Sequence, residues 1–140
     1  MKTARRQARE IALQALYAWQ LSGGDPLEEA RANEAYEKST FLDELVRGVH
    51  GGAAELEKLI TPHLDRQFDK LSPVERAILY IGAYELEAHP KTPFKVVLNE
   101  AVELGKSFGG AEGHRFINGV LEKIAEALRP EEVARSRKIA

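Results

Sequence analysis

Residues 71–86, LSPVERAILYIGAYEL, decide the fold. Ser72 can cap a helix, Pro73 suits its first position, and Glu75 stands three residues after the serine, so the stretch opens with a capping box. Behind the box, Ala77, Ile78, Ile81, Tyr84 and Leu86 wrap much of the circumference. That pattern predicts a central helix with neighbours on more than one side. His89-Pro90 ends it.

Working outward, every long segment repeats at helical spacing, and none alternates with period two for long enough to build a sheet. Upstream, Leu42, Leu45, Val46, Val49, Ala53, Leu56, Leu59 and Ile60 recur at three and four behind a Ser39 or Thr40 cap, with Gly51-Gly52 as a bend. Gly23-Gly24 stops the first helix, and Asp25-Pro26 starts a second, predicted over 26–38. Residues 63–71 read as a short helix inside a connector. Downstream, Thr92-Pro93 opens a helix carrying Val96, Val97, Ala101, Leu104 and Phe108, which Gly109-Gly110 closes. The last helix is predicted over 113–129, with Phe116, Ile117, Val120, Leu121, Ile124 and Leu128 as its stripe and Pro130 as its stop. The expectation is therefore all-α: a compact bundle of about seven helices in two packed halves. It forms one domain over 1–130, followed by a basic, frayed tail over 131–140.

Composition narrows the chemistry. A chain of 140 residues with 44% apolar content can bury a core. Its net charge of -2 confines any attraction for a polyanion to local patches. The absence of cysteine excludes disulfides, a thiolate nucleophile and cysteine zinc sites, and suits a cytoplasmic protein. His50, His63, His89 and His114 lack metal-ligand spacing, so no metal or cofactor is assigned. Gly105-Lys106-Ser107 resembles the end of a phosphate-binding loop, but Glu100 stands where that motif needs glycine and no strand precedes it. No residue pair marks catalysis. The apolar run over 77–84 is far short of the roughly 20 residues that span a membrane. Glu10, Gln14 and Gln20 break any likeness of the start to a signal peptide.

Charge and aromatics converge at the start, MKTARRQAREIALQALYAWQ over 1–20. Wound at about 100° per residue, Lys2, Arg5, Arg6 and Arg9 gather in one sector that continues through Leu13, Tyr17 and Gln20. Ala8, Ile11, Ala12, Ala15 and Trp19 form the opposite, packing sector. The expectation is an outward cationic wall with a phenol beside it, matched to the phosphates and a base of single-stranded nucleic acid. A plainer reading is a start charged for solubility.

Four blocks carry a resemblance that runs end to end: ARRQAREIALQALYAWQ, LSPVERAILYIGAYEL, TPFKVVLNEAVELGKSFGG and HRFINGVLEKIA. In this order and spacing the chain resembles the NusB family of bacterial transcription antitermination factors. The resemblance implies an all-helical, non-catalytic protein that binds boxA RNA of ribosomal RNA leaders together with ribosomal protein NusE. It also implies a part in assembling the antitermination complex of Nus factors on RNA polymerase. Carried over by position, the RNA-binding residues are Lys2, Arg5, Arg6, Arg9, Tyr17 and Phe116, with Glu112 in an adjoining loop that tunes affinity. Glu75 falls on an acid associated with the NusE-facing surface; helix capping accounts for it equally well. Gln7 interrupts the arginine run and implies one fewer phosphate contact, with greater reliance on NusE. Family members occur as monomers and as homodimers, so the resemblance leaves both a lone chain and a pairing with a second copy open. The alternative on the same fold is the RNA-binding module of ribosomal RNA cytosine methyltransferases, without the catalytic domain.

Overall fold

A computed structural model describes residues 2–109 and 113–139 of the chain. Among them eight α-helices follow one another: α1 (Ala4–Ser22), α2 (Pro26–Arg31), α3 (Thr40–Gly51), α4 (Ala53–Ile60), α5 (Pro73–Ala88), α6 (Phe94–Phe108), α7 (Gly113–Leu128) and α8 (Pro130–Ile139). The predicted caps at Asp25, Ser39 and Ser72 form, accepting hydrogen bonds from Leu27 N, Leu42 N and Glu75 N at 2.9, 3.0 and 3.1 Å, and Thr3, not foreseen as a cap, accepts from Arg6 N at 3.0 Å. Glu75 Oε1 answers by accepting from Ser72 N at 3.1 Å, which completes the capping box. Gly23 and Gly24 turn the chain with φ of 74° and 81°, a region that side-chain-bearing residues avoid.

The central position of α5 follows from its sequence. Apolar nearly all round, it touches α1, α3 and α4 on one side and α6 and α7 on the other, so α1–α3 and α6–α7 form two halves with α5 between them. Two glycines set the approach distances. The Tyr84 ring occupies the space a side chain at Gly48 would need, and a methyl at Gly82 would meet Leu121 Cδ1 at 2.6 Å.

Four local expectations are corrected. The second helix ends at Arg31, not 38, because Asn33 turns its side chain onto Ala35 N at 2.9 Å and offers the backbone an alternative to the helix. A 3-10 turn, Tyr36–Lys38, follows. Gly51-Gly52 separates α3 from α4 instead of bending one helix. Residues 63–71 hold no α-helix; 3-10 turns at Thr61–His63 and Phe68–Lys70 flank extended backbone at Leu64 and Gln67. The count is eight α-helices because Pro130 opens a helix where a stop was expected.

The predicted frayed tail is that eighth helix, and α8 is anchored. Val133 is buried. Glu132 Oε2 accepts from Phe94 N at 2.7 Å, capping α6 where Pro93 supplies no side-chain cap. Just before α8, Arg129 donates to the carbonyls of Leu86, His89 and Thr92 at 3.0, 2.8 and 2.6 Å, holding the turn between α5 and α6.

Candidate nucleic-acid interface

The side of α1 that packs inward carries Ala8, Arg9, Ile11, Ala12, Leu13, Ala15 and Leu16, all buried. Arg9 is thus in line with Leu13 and Leu16, four and seven residues on, and lies on the core stripe. This corrects the expectation of one outward sector holding four cations, Leu13 and Tyr17. Arg9 Nε and Nη2 donate to Glu85 at 2.8 and 2.7 Å, and Nη1 donates to Glu100 Oε1 at 3.2 Å. With Arg9 at 3% and Glu85 at 1% exposure, the fork is sealed from water. Such a pair stands only because every charge has a partner.

The remaining cations meet partners of their own. Arg6 Nε and Nη2 fork onto Glu100 at 3.2 and 2.7 Å, yet the Arg6 side chain stays 43% exposed. That hydrogen bond, with the charges of Arg9 and Arg6 opposing the effect of burial, holds the Glu100 carboxyl below the usual range. Lys2 Nζ lies 2.8 Å from Glu10 Oε1. Arg5 is exposed and rests its guanidinium 4.5 Å from the centre of the Phe41 ring. Lys2, Arg6 and Arg9 line a small hollow together with Glu10, Glu100 and Glu103. Its cations are balanced by carboxylates, and a phosphate entering there competes with side chains already in place.

Tyr17 is 39% exposed, two turns beyond Glu10, while Trp19 on the packing side is half-buried and meets His50 edge-on at 5.1 Å. Phe116 stands in a different place: half-buried on α7, it carries the Arg66 guanidinium 4.4 Å from its ring centre. Glu75 serves the capping box, and its Oε2 lies 3.9 Å from where a Gly113 side chain would begin, at the start of α7. Glu112 lies outside the described residues.

Sequence reasoning missed Glu85 and Glu100 as partners of α1, and Arg66 as the partner of Phe116. Glu85 had one signal, a carboxylate between Tyr84 and Leu86 on the apolar stretch of the central helix; Arg66 had none. It also missed a cluster at the far end of α5, where Glu44 accepts from the Tyr84 hydroxyl at 2.7 Å and lies 2.6 Å from His89 Nε2. Burial pushes the Tyr84 phenol up to about 12, helped by that carboxylate. Burial also pushes Glu44 up, but the hydrogen bonds from His89 and Tyr84 outweigh it and leave the carboxyl low.

The geometry defines a class: an all-helical protein in two halves around one central helix, with its cationic first helix keyed into carboxylates of α5 and α6. The NusB family model matches residues 6–126, and the chain belongs to the NusB family, whose members are transcription antitermination factors. The transcription antitermination protein NusB of Burkholderia mallei (strain SAVP1) is 49% identical over 141 residues, covering 97% of each chain. Among solved structures, T. maritima NusB superposes with a TM-score of 0.82 at 26% identity, covering 96% of this chain and 99% of that one. A complex of NusB and NusE with double-stranded RNA superposes with a TM-score of 0.79 at 30% identity, covering 91% and 99%.

Proposed function

We propose that this chain binds the boxA element of ribosomal RNA leader transcripts jointly with ribosomal protein NusE. In the cytoplasm, the pair then helps assemble the antitermination complex of Nus factors on RNA polymerase. The observation that carries this reading is the half-exposed Arg6 at the rim of a hollow shared with Lys2, three turns from the exposed ring of Tyr17. Lys2, Arg5 and Arg6 position the phosphate backbone, and Tyr17 offers a face to an unstacked base. Phe116 contributes from its own site on α7. Arg9 acts through others: it seats α1 so that Arg6 and Lys2 stand where they do. Glu75 and the neighbouring start of α7 face NusE, and the charge of Glu112 tunes RNA affinity.

Because carboxylates already balance the cations, the chain alone binds RNA weakly, and NusE supplies the remaining affinity by adding contacts to the same strand. The test is a gel-shift titration with boxA RNA and a scrambled control, with and without NusE. Preference for boxA, strengthened by NusE, is the expected result; equal binding of both RNAs under both conditions overturns the reading. Within that assay, Tyr17→Ala costs about 1–3 kcal/mol through lost base stacking. Wild-type affinity in that variant removes the ring from the interface.

A further inference from the structure

The connector between α4 and α5 holds a feature that the reading above does not use. Arg66 lies there, 46% exposed, and two contacts fix it. Its Nε and Nη2 edge is held by both oxygens of Asp65, at 2.7 and 3.3 Å, and its guanidinium carbon lies over the Phe116 ring at 4.4 Å from the centre. A half-exposed arginine ordinarily samples many rotamers; this one is clamped along one edge and backed by a ring. Beside it a shallow hollow of about 300 Å³ is lined by His63, Asp65, Phe116, Gly119 and Lys123, among others. Glu75 is near enough to raise the guanidinium pKa, a smaller effect than that of Asp65, so Arg66 also neighbours the proposed NusE-facing acid.

We infer that Arg66, not the bare ring of Phe116, is the stacking platform at this site: an unpaired RNA base lies on the outer face of its guanidinium, with Phe116 as the backing layer. A planar delocalised cation on an aromatic ring extends the stack by one layer, and guanidinium planes are surfaces on which splayed bases stack. Asp65 balances the charge and keeps the plane in register. Arg66 therefore contributes through its shape more than through net attraction for phosphate. Lys123, two turns further along α7 and lining the same hollow, is the phosphate contact of this site.

The inference rests on RNA being the ligand, and its test separates the two. Binding of boxA RNA is followed by fluorescence anisotropy across a salt series, with NusE present, for the wild type and for Arg66→Ala, Arg66→Lys and Arg6→Ala. A copy of the RNA carrying 2-aminopurine at successive positions reports stacking. Arg66→Ala and Arg66→Lys are both expected to weaken binding about tenfold with an unchanged salt slope, and to lose quenching at one 2-aminopurine position. Arg6→Ala instead lowers the slope by about one unit. Thermal unfolding verifies that each variant is folded, and Arg66→Lys, which keeps the charge and most of the stem, serves should the alanine variant unfold. Wild-type affinity and quenching in both Arg66 variants, beside a weakened Arg6→Ala, overturns this inference alone. No binding by the wild type overturns the RNA reading and this inference with it.

Discussion

Arg6 and Arg9 lie one turn apart on α1 and differ in what surrounds them. The Arg9 side chain is 4% exposed against a 2% exposed Glu85; that of Arg6 is 43% exposed against Glu100. Removing one member of a sealed pair strands the other, at about 3–5 kcal/mol. Arg9→Ala is therefore expected to lower the denaturant midpoint sharply, whereas Arg6→Ala keeps its stability and loses RNA affinity. An Arg9→Ala protein as stable as the wild type would show that the fork is idle. The same contrast explains what the residues alone disclosed. Winding the helix places the four cations in one sector, but angle alone does not tell which of them the core claims, and it takes Arg9 from the middle of the group. That depended on Glu85 and Glu100, distant in the chain and close only in the folded molecule. Arg66 was illegible for the same reason, since its ring partner comes from α7.

At the scale of elements, side-chain caps and periodicity were readable because they are local. Ser72 and Glu75 close their box within three residues, and the stripe of α7 needs only itself. The failures fall where a distant partner overrules a local cue. Proline after α7 reads as a stop because it cannot continue a helix, yet the same ring is well placed to begin one, and α8 begins there. What holds α8 in place is Glu132, which caps α6 from outside. Glu132→Ala is expected to cost about 1–2 kcal/mol, the scale of a lost helix cap, and to speed amide exchange in the first turn of α6. Unchanged protection there would mean that the cap adds nothing.

At the scale of the molecule, besides Asp65, lowered by the hydrogen bond from Arg66 beside it, three carboxyls among the described residues are held below their ordinary range. Hydrogen bonds from Tyr36 and Arg47 lower Asp43 against the effect of burial, those of Tyr84 and His89 lower Glu44, and those of Arg6 and Arg9 lower Glu100. A group whose folded-state pKa is depressed stabilises fully above its unfolded pKa, and that contribution drains as pH falls through the folded value. Thermal midpoints should hold steady from neutrality to about pH 5 and fall below about pH 4, with a shallower fall in Glu100→Gln. An equally steep fall in that variant would remove Glu100 from the acid response. The sealed fork has one more consequence, for biosynthesis. Arg9 leaves the ribosome 76 residues before Glu85 and 91 before Glu100. Its socket does not exist until both acids have been made, and contacts so remote in sequence are slow to close. α1 is thus fully seated only late, and for that interval Arg9 travels uncovered.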